Sequence, residues 1–383
     1  MKPRALLLRN RQSPGDIVML TAAVRDLHAQ HPGRFVTAVD TTAMALWDHN
    51  PLALRWDRVA DAGSWEAVEC GYPLIARSNT GPWHFIHGFH HFLAERLEVR
   101  LEPGAFRGDV HLSPEEKALP SAVELATGRA LPFWIVVSGG KRDFTTKWWD
   151  PARMQAVVDH FAGRILFVQT GEAGHHHPPL RGVLDLRGKT DLRQMIRMMH
   201  HAQGVLCPVT LHMHLAAAVP VRKGMPQNRP CVVVAGGREP AQWEAYPHHQ
   251  YLHRNGTLPC CDQGGCWKSR VVPLGDEDPK DELGKLCTHV VHLRDPARSF
   301  RRRTDEPLPP HAWVDAPGRV ATDYLPQCLD LVTVDDVIRA IDLYFAGGVV
   351  KYLTVKEAEV VQSTLRSQEA QPMAVEVETR MTA

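Results

Sequence analysis

The chain has 383 residues, enough for two ordinary domains and a tail, and its 44 Lys+Arg against 43 Asp+Glu leave a formal charge of +1. That balance excludes a nucleic-acid binder working by bulk electrostatics, and 44% hydrophobic with 23% charged residues excludes an acidic disordered chain. No apolar run approaches the roughly 18 residues of a membrane span, and Ala5–Leu8 is too short for a signal-peptide core, so a cytoplasmic protein is expected.

Ala5-Leu6-Leu7-Leu8 reads as a buried strand. A Ser13-Pro14-Gly15-Asp16 turn follows, then a helix with Ile17, Leu20, Val24 and Leu27 at helical spacing. Phe35–Val39 is the next strand, which completes a βαβ unit and predicts a parallel sheet. Residues 83–100 form an aromatic-rich helix or helix pair, and the polar, Pro- and Gly-containing stretch 101–131 connects two domains. A second alternating series follows: strand 133–137, helix 151–162, strand 165–168, and a Leu192, Met195, Ile196, Met199 stripe that is plain core behind a Thr190/Asp191 cap. Val205-Leu206 and Cys231–Ala235 are further strands, with a short helix at 212–218 between them. Residues 301–320 read as an exposed loop, and Thr333 caps a helix carrying Val337, Ile338, Ile341 and Phe345. Beyond about Ser367 little could pack, and the tail reads as disordered. Two doubly wound α/β halves result, with a ligand cleft at the carboxyl ends of their strands.

Three segments could carry chemistry at that cleft. Gly15 lets backbone approach a ligand, and Asp16 could take a proton from an incoming hydroxyl; the plain alternative is a helix-capping aspartate. Thr145, Thr146 and Lys147, past a strand end, make a credible diphosphate clamp, though a loop lysine is often only a solvated charge. Thr210 opens a small-residue helix containing His214, and a helix N-terminus there offers N–H groups to phosphate. Gly171 and Glu172, beside His175-His176-His177, could line a nucleotide pocket, while the histidine pairs elsewhere read as loop residues. Cys260, Cys261, Cys266 and Cys287, with Gly264-Gly265 between them, suit a tetrahedral zinc or iron knuckle of structural kind. Adjacent cysteines seldom share one ion, so Cys260 could be a bystander with His253 or His289 as fourth ligand, and a set of reduced thiols is the plain alternative. Arg301-Arg302-Arg303 is either a solvated run or a contact for anionic lipid headgroups or a phosphorylated acceptor.

Taken in order, Ser-Pro-Gly-Asp after a strand, Thr146-Lys147-Trp148, Asp185–Leu192 and His214-Leu215-Ala216-Ala217-Ala218 resemble the heptosyltransferases of glycosyltransferase family 9. The match spans roughly residues 4–255, and 328–341 resembles the family's closing helix. The resemblance implies a GT-B fold: an acceptor-side Rossmann-like domain over 1–125, a nucleotide-sugar domain over 131–346 with a Cys-rich loop at 259–290, and a C-terminal helix and tail over 347–383. It implies Asp16 as the base and Lys147 as the holder of the leaving diphosphate. It also implies nucleotide contacts near Thr210 and His214, ADP-heptose as donor, and a glycan, lipid or protein hydroxyl as acceptor. Homo-oligomers and peripheral contact with the inner membrane are compatible with it. Transfer of this kind inverts the sugar centre through an oxocarbenium-like state and needs no metal. One branch, the autotransporter heptosyltransferases, is known for a cysteine-bound iron, which the cysteines here resemble. The chain departs from the family at Val209-Thr210-Leu211, where Asp-Thr-Gly is usual. A non-catalytic nucleotide-sugar or glycan binder with a structural metal is therefore the alternative function.

Overall fold

The computed structural model describes residues 2–60, 63–313 and 322–370. Four parallel strands open the chain: β1 (Arg4–Asn10), β2 (Phe35–Thr41), β3 (Ala53–Arg55) and β4 (Glu66–Glu69), in the spatial order β3-β2-β1-β4. Leu6, Leu7 and Leu8 are all buried, as a central parallel strand covered on both faces requires. Helix α1 (Pro14–Gln30) starts with proline at its first position and buries Ile17, Leu20, Val24 and Leu27 against the sheet. Helix α2 (Ile86–Leu97) buries Ile86, Phe89, Leu93 and Leu97, one stripe at helical spacing. The 101–131 connection is itself packed: it carries short helices α3 (Pro114–Ala118) and α4 (Ala122–Thr127), and Leu101, Val110, Leu112 and Val123 are buried.

The second half is a six-stranded parallel sheet in the order β10-β9-β8-β5-β6-β7. Its elements in sequence are β5 (Trp134–Val136), α5 (Pro151–His160), β6 (Phe167–Gln169), β7 (Leu184–Asp185), α6 (Leu192–His201), β8 (Gly204–Pro208), α7 (Leu211–Ala218), β9 (Cys231–Gly236), α8 (Ala241–Glu244) and β10 (His249–His253). The strand order reverses at β5, flanked by β6 and β8, and this is the switch point where a ligand crevice opens at strand carboxyl ends. The methionines of α6 are core, with Met195, Met198 and Met199 all buried.

A small antiparallel sheet follows, β12-β11-β13, from β11 (His289–His292), β12 (Phe300–Arg301) and β13 (Tyr324–Pro326). Helices α9 (Gln327–Asp330) and α10 (Val334–Ala346) come next, the latter capped by the Thr333 hydroxyl accepting from Asp336 N–H. Helix α11 (Val355–Ala370) returns to the first half against α4. Two expectations are corrected here. Residues 301–313 are not an open loop, because Leu308 and Ala312 are buried in the small sheet's own core. His90, His91, His200 and His201 lie on helices rather than loops; His90 is buried and bonds Asp26 at 2.8 Å. The expected disordered tail beyond 370, and residues 314–321 of the expected loop, lie outside the described residues.

Candidate active site between the two sheets

Asp16 sits one turn into α1, at the carboxyl end of β1. Its Oδ2 accepts the Ser13 backbone N–H at 2.9 Å, so it does tie off the helix, as the plain alternative held. Its other oxygen, however, faces away from that cap and accepts the Tyr72 hydroxyl at 3.3 Å. Protein packed around the half-buried carboxylate desolvates it and raises its pKa, partly offset by the Ser13 N–H and by the charge of Lys147. The carboxylate therefore stands within electrostatic reach of a lysine more than a hundred residues away.

Lys147 closes a 3₁₀ segment, Arg142–Lys147, that follows β5. Its ammonium bonds Glu239 Oε1 at 2.7 Å, where Glu239 is 1% exposed. The same carboxylate takes the guanidinium of Arg238. Burial alone would raise Glu239, but Arg238 and Lys147 together hold it below the ordinary glutamate range. Five residues on, Glu244 has the opposite fate: burial, then repulsion from Glu239, pushes it up to about 8. Two buried carboxyls five residues apart are thus driven apart in acidity, a pattern that marks functional sites. Glu244 Oε2 lies 3.8 Å from His214 Nε2 and has no hydrogen-bond partner.

The expected residues divide among three tasks. Gly15 gives α1 its close approach to α7, since a β-carbon there would stand 2.9 Å from His214 Cδ2. His214 is buried and bonds the Tyr246 hydroxyl at 2.7 Å through Nδ1, and burial pulls it down to about 3, so its ring is neutral. Thr210 caps α7, its hydroxyl accepting from His212 N–H. Thr145 and Thr146 are both buried and act on the neighbouring loop: Thr145 Oγ1 accepts from Val271 N–H at 2.9 Å, and Thr146 Oγ1 donates to the Lys268 and Ser269 carbonyls. Gly171 and Glu172 lie past β6, where a β-carbon on Gly171 would strike the His177 ring and Glu172 is exposed, 3.4 Å from His175 Nδ1. A shallow recess bounded by Gly139, Trp148, His176 and Tyr324 opens beside this edge.

Tyr72, Arg238, Glu239, Glu244 and Tyr246 were missed from the sequence. Gly236-Gly237-Arg238-Glu239, directly after the Cys231–Ala235 run, was a usable signal, because a turn at a strand's carboxyl end faces the crevice. The two tyrosines follow no pattern. The halves meet firmly around the site: Phe85 N–H donates to the Trp243 carbonyl at 2.8 Å and their rings stack. Asn79 bonds Gly265 through both N–H and carbonyl at 2.9 Å and accepts from Trp267 Nε1 at 3.2 Å. Arg302, by contrast, is buried and donates to the Leu283, Arg303 and Glu306 carbonyls, so the arginine triplet is not one open patch.

Four of the cysteines gather in one cluster. Cys261 and Cys328 pack with Leu258 in an apolar cluster, with Cys260 and Cys266 at its edge. The Cys261 thiol donates to the Arg254 carbonyl and that of Cys287 to the His289 carbonyl. Burial pushes Cys328 up to about 12 and Cys287 higher still. Among the described residues no group of three or more His, Cys, Asp or Glu side chains is arranged to hold an ion. Of the expected Cys260, Cys261, Cys266 and Cys287 set, the first three lie together in this cluster and Cys287 is buried in the core of the small sheet. No helix among the described residues is long and apolar enough to cross a membrane.

No protein-family model matches the chain, and no curated protein does. Solved structures do. The iron-containing dodecameric glycosyltransferase TibC from enterotoxigenic E. coli H10407 is 14% identical over 91% of this chain and 78% of that one, with a TM-score of 0.53. The heptosyltransferase TibC in complex with ADP-D-beta-D-heptose gives 13% identity, the same coverages and a TM-score of 0.50. The glycosyl transferase family 9 protein from Veillonella parvula DSM 2008 gives 11% identity over 69% of this chain and 90% of that one, at 0.49. The chain shares the two-sheet α/β fold of the TibC structures, the GT-B class that its sequence resembles.

Proposed function

We propose that the chain is an inverting glycosyltransferase that moves a sugar from a nucleotide-diphosphate donor to a hydroxyl of a glycan, lipid or protein. Heptose and ADP are the sugar and nucleotide favoured by the likeness to TibC in complex with ADP-D-beta-D-heptose. The division into an acceptor side before about residue 125 and a donor side after 131 belongs to the same reading. So does association into a homo-oligomer, as the dodecameric TibC has.

The observation that carries it is that Asp16, from the first sheet, and Lys147, held by Glu239 on the second, come within electrostatic reach of one another. An acceptor hydroxyl must lose its proton as it attacks the sugar, while negative charge builds on the departing diphosphate. Desolvation raises the proton affinity of Asp16, which suits a base that works near neutrality. On the opposite side, Lys147 and the first N–H groups of α7 are cationic or dipolar donors for the leaving group, the type of term that is usually largest. Neutral His214 does not add a second charge beside the lysine. No step in this scheme uses a metal.

The test is a thermal-shift panel of ADP-, GDP-, UDP- and CMP-sugars on the full chain, followed by donor turnover. One nucleotide should stabilise the protein, and turnover should vanish in Asp16→Ala and Lys147→Ala with the fold intact. Nucleotide binding without turnover, unchanged by Asp16→Ala, would instead identify a non-catalytic binder.

A further inference from the structure

A lysine side chain has four rotatable bonds, so a loop ammonium is not aimed by its own backbone. Here its end is caught. Glu239 Oε1 holds Lys147 Nζ at 2.7 Å, and the same oxygen meets the Arg238 guanidinium. Arg238 is in turn immobile: Nε donates to the Lys268 carbonyl at 2.6 Å, and its guanidinium lies 4.7 Å from the Phe144 ring centre and 5.4 Å from that of Trp267. The backbone of this turn is gripped by the cysteine loop, where Cys266 N–H donates to the Gly237 carbonyl and Trp267 N–H to that of Arg238. Gly265 permits this closeness, since a β-carbon there would stand 2.4 Å from the Arg238 oxygen. The second oxygen of Glu239 is buried and has no hydrogen-bond partner.

We infer that Arg238 and Glu239 are a positioning pair for Lys147, mounted on the 259–268 loop, that presents the ammonium to the donor's diphosphate. The inference rests on the transferase reading above and deepens it. Two cations on one carboxylate have a specific consequence. When Lys147 turns to a diphosphate, a lone Glu239 would be left as an unpaired buried charge, which is costly. Arg238 stays with it, so the lysine is released without that penalty. Before the donor arrives Glu239 competes with it for the ammonium; afterwards it fixes the line along which the ammonium acts.

Glu239→Gln separates these effects, because the amide keeps the shape and drops the charge. ADP, or whichever nucleoside diphosphate the panel selects, serves as the binding probe by calorimetry, with steady-state donor turnover alongside. The expected result is ADP affinity equal to or tighter than the parent's, while kcat falls at least about tenfold with donor KM little changed, as for a misplaced transition-state donor. In a Lys147→Met background Glu239→Gln should leave ADP affinity unchanged, whereas a merely structural role would shift it there as well. A kcat within about twofold of the parent's, or ADP affinity falling in step with kcat, overturns the inference. Should Glu239→Gln fail to fold, Glu239→Asp keeps the charge but retracts it by one methylene, and the same split between kcat and ADP affinity is required of it. A parent that neither binds a nucleoside diphosphate nor turns over overturns the transferase reading together with this inference. A parent that turns over but tolerates the substitutions overturns the inference alone.

Discussion

Asp16→Asn is the sharpest single perturbation, because the two roles of that side chain predict opposite effects on stability and activity. As a helix-start residue, Asp16 accepts Ser13 N–H at 2.9 Å and the Tyr72 hydroxyl at 3.3 Å. Asparagine keeps one oxygen for Ser13 and turns its amide toward Tyr72, whose hydroxyl can accept as well as donate. No hydrogen bond need be lost. The charge is lost, and the folded protein disfavours that charge: Asp16 has its pKa raised above the ordinary 3.8, chiefly by desolvation. A raised carboxyl contributes stability that is complete below its ordinary value and gone once pH has passed the folded value, so at neutral pH the ionised group is a burden. The melting temperature of Asp16→Asn at pH 7 should therefore equal or exceed the parent's. Asp16→Ala, which removes the cap, should lose about 1 kcal/mol, or about 3 °C. Turnover should fall by about 10²–10⁴ in both, the usual contribution of a general base. Calorimetry and donor consumption on the same samples read the two effects. If Asp16→Asn melts several degrees lower while retaining turnover, the residue is only a cap and the reasoning is wrong.

Two further outcomes follow from the same cluster. Glu244, pushed up to about 8 from an ordinary 4.5, should contribute stability that is complete below the ordinary value and lost as pH rises through about 8. Buried neutral histidines such as His214 and His249 act in the opposite sense at acid pH, so the measurement is the difference in melting temperature between Glu244→Gln and the parent. That difference should grow in favour of the variant from pH 5 to 8 and then level off; a flat difference would refute it. Gly15→Ala should gain up to about 1 kcal/mol in helix propensity yet set a methyl 2.9 Å from His214 Cδ2, a ring tethered to Tyr246. Stability should stay within about 1 kcal/mol of the parent while kcat falls about tenfold or more, since a 1 Å displacement of a reacting group can cost a hundredfold. Full activity would show that the contact between α1 and α7 does not place the base.

Much of the fold was legible because it is written locally. Ala5–Leu8 and Cys231–Ala235 are apolar runs of strand length, and α1 and α6 carry their stripes at helical spacing. Strands too short to show a period, such as Leu184–Asp185, gave no such signal. The small sheet of β11, β12 and β13 is assembled from separated segments of two to four residues, so the stretch from 301 onward, between β12 and β13, read as loop. The site was legible only where a residue follows a strand in its own segment, as Asp16 and Lys147 do. Glu239 and Glu244 acquire their character from residues far away in sequence: Lys147 lies ninety-two positions before the first, and Asp16 still further from the second. Thr145 and Thr146 show the converse. Their hydroxyl chemistry suited a phosphate, but the loop at 268–271 had already engaged it.

The departure at Val209-Thr210-Leu211 takes on a different weight once the contacts of α7 are considered. Thr210 still caps the helix, and Gly15 brings α1 against the His214 ring one turn further on. The Tyr246 hydroxyl hydrogen-bonds His214 Nδ1 at 2.7 Å and lies 3.2 Å from the sulfur of Met19 on α1, while His214 Nε2 faces Glu244. A residue of the first half thus terminates a hydrogen-bond chain that begins in the second. Asp16 lies three residues before Met19 on the same helix, so its position relative to Lys147 is set by how α1 seats on α7 rather than by the β1 turn alone. Val209 and Leu211, standing where a carboxylate and a glycine are usual, do not disturb this seating. Bringing Asp16 near Lys147 requires the two halves to be closed on one another, and the Phe85–Trp243 and Asn79–Gly265 contacts supply that closure.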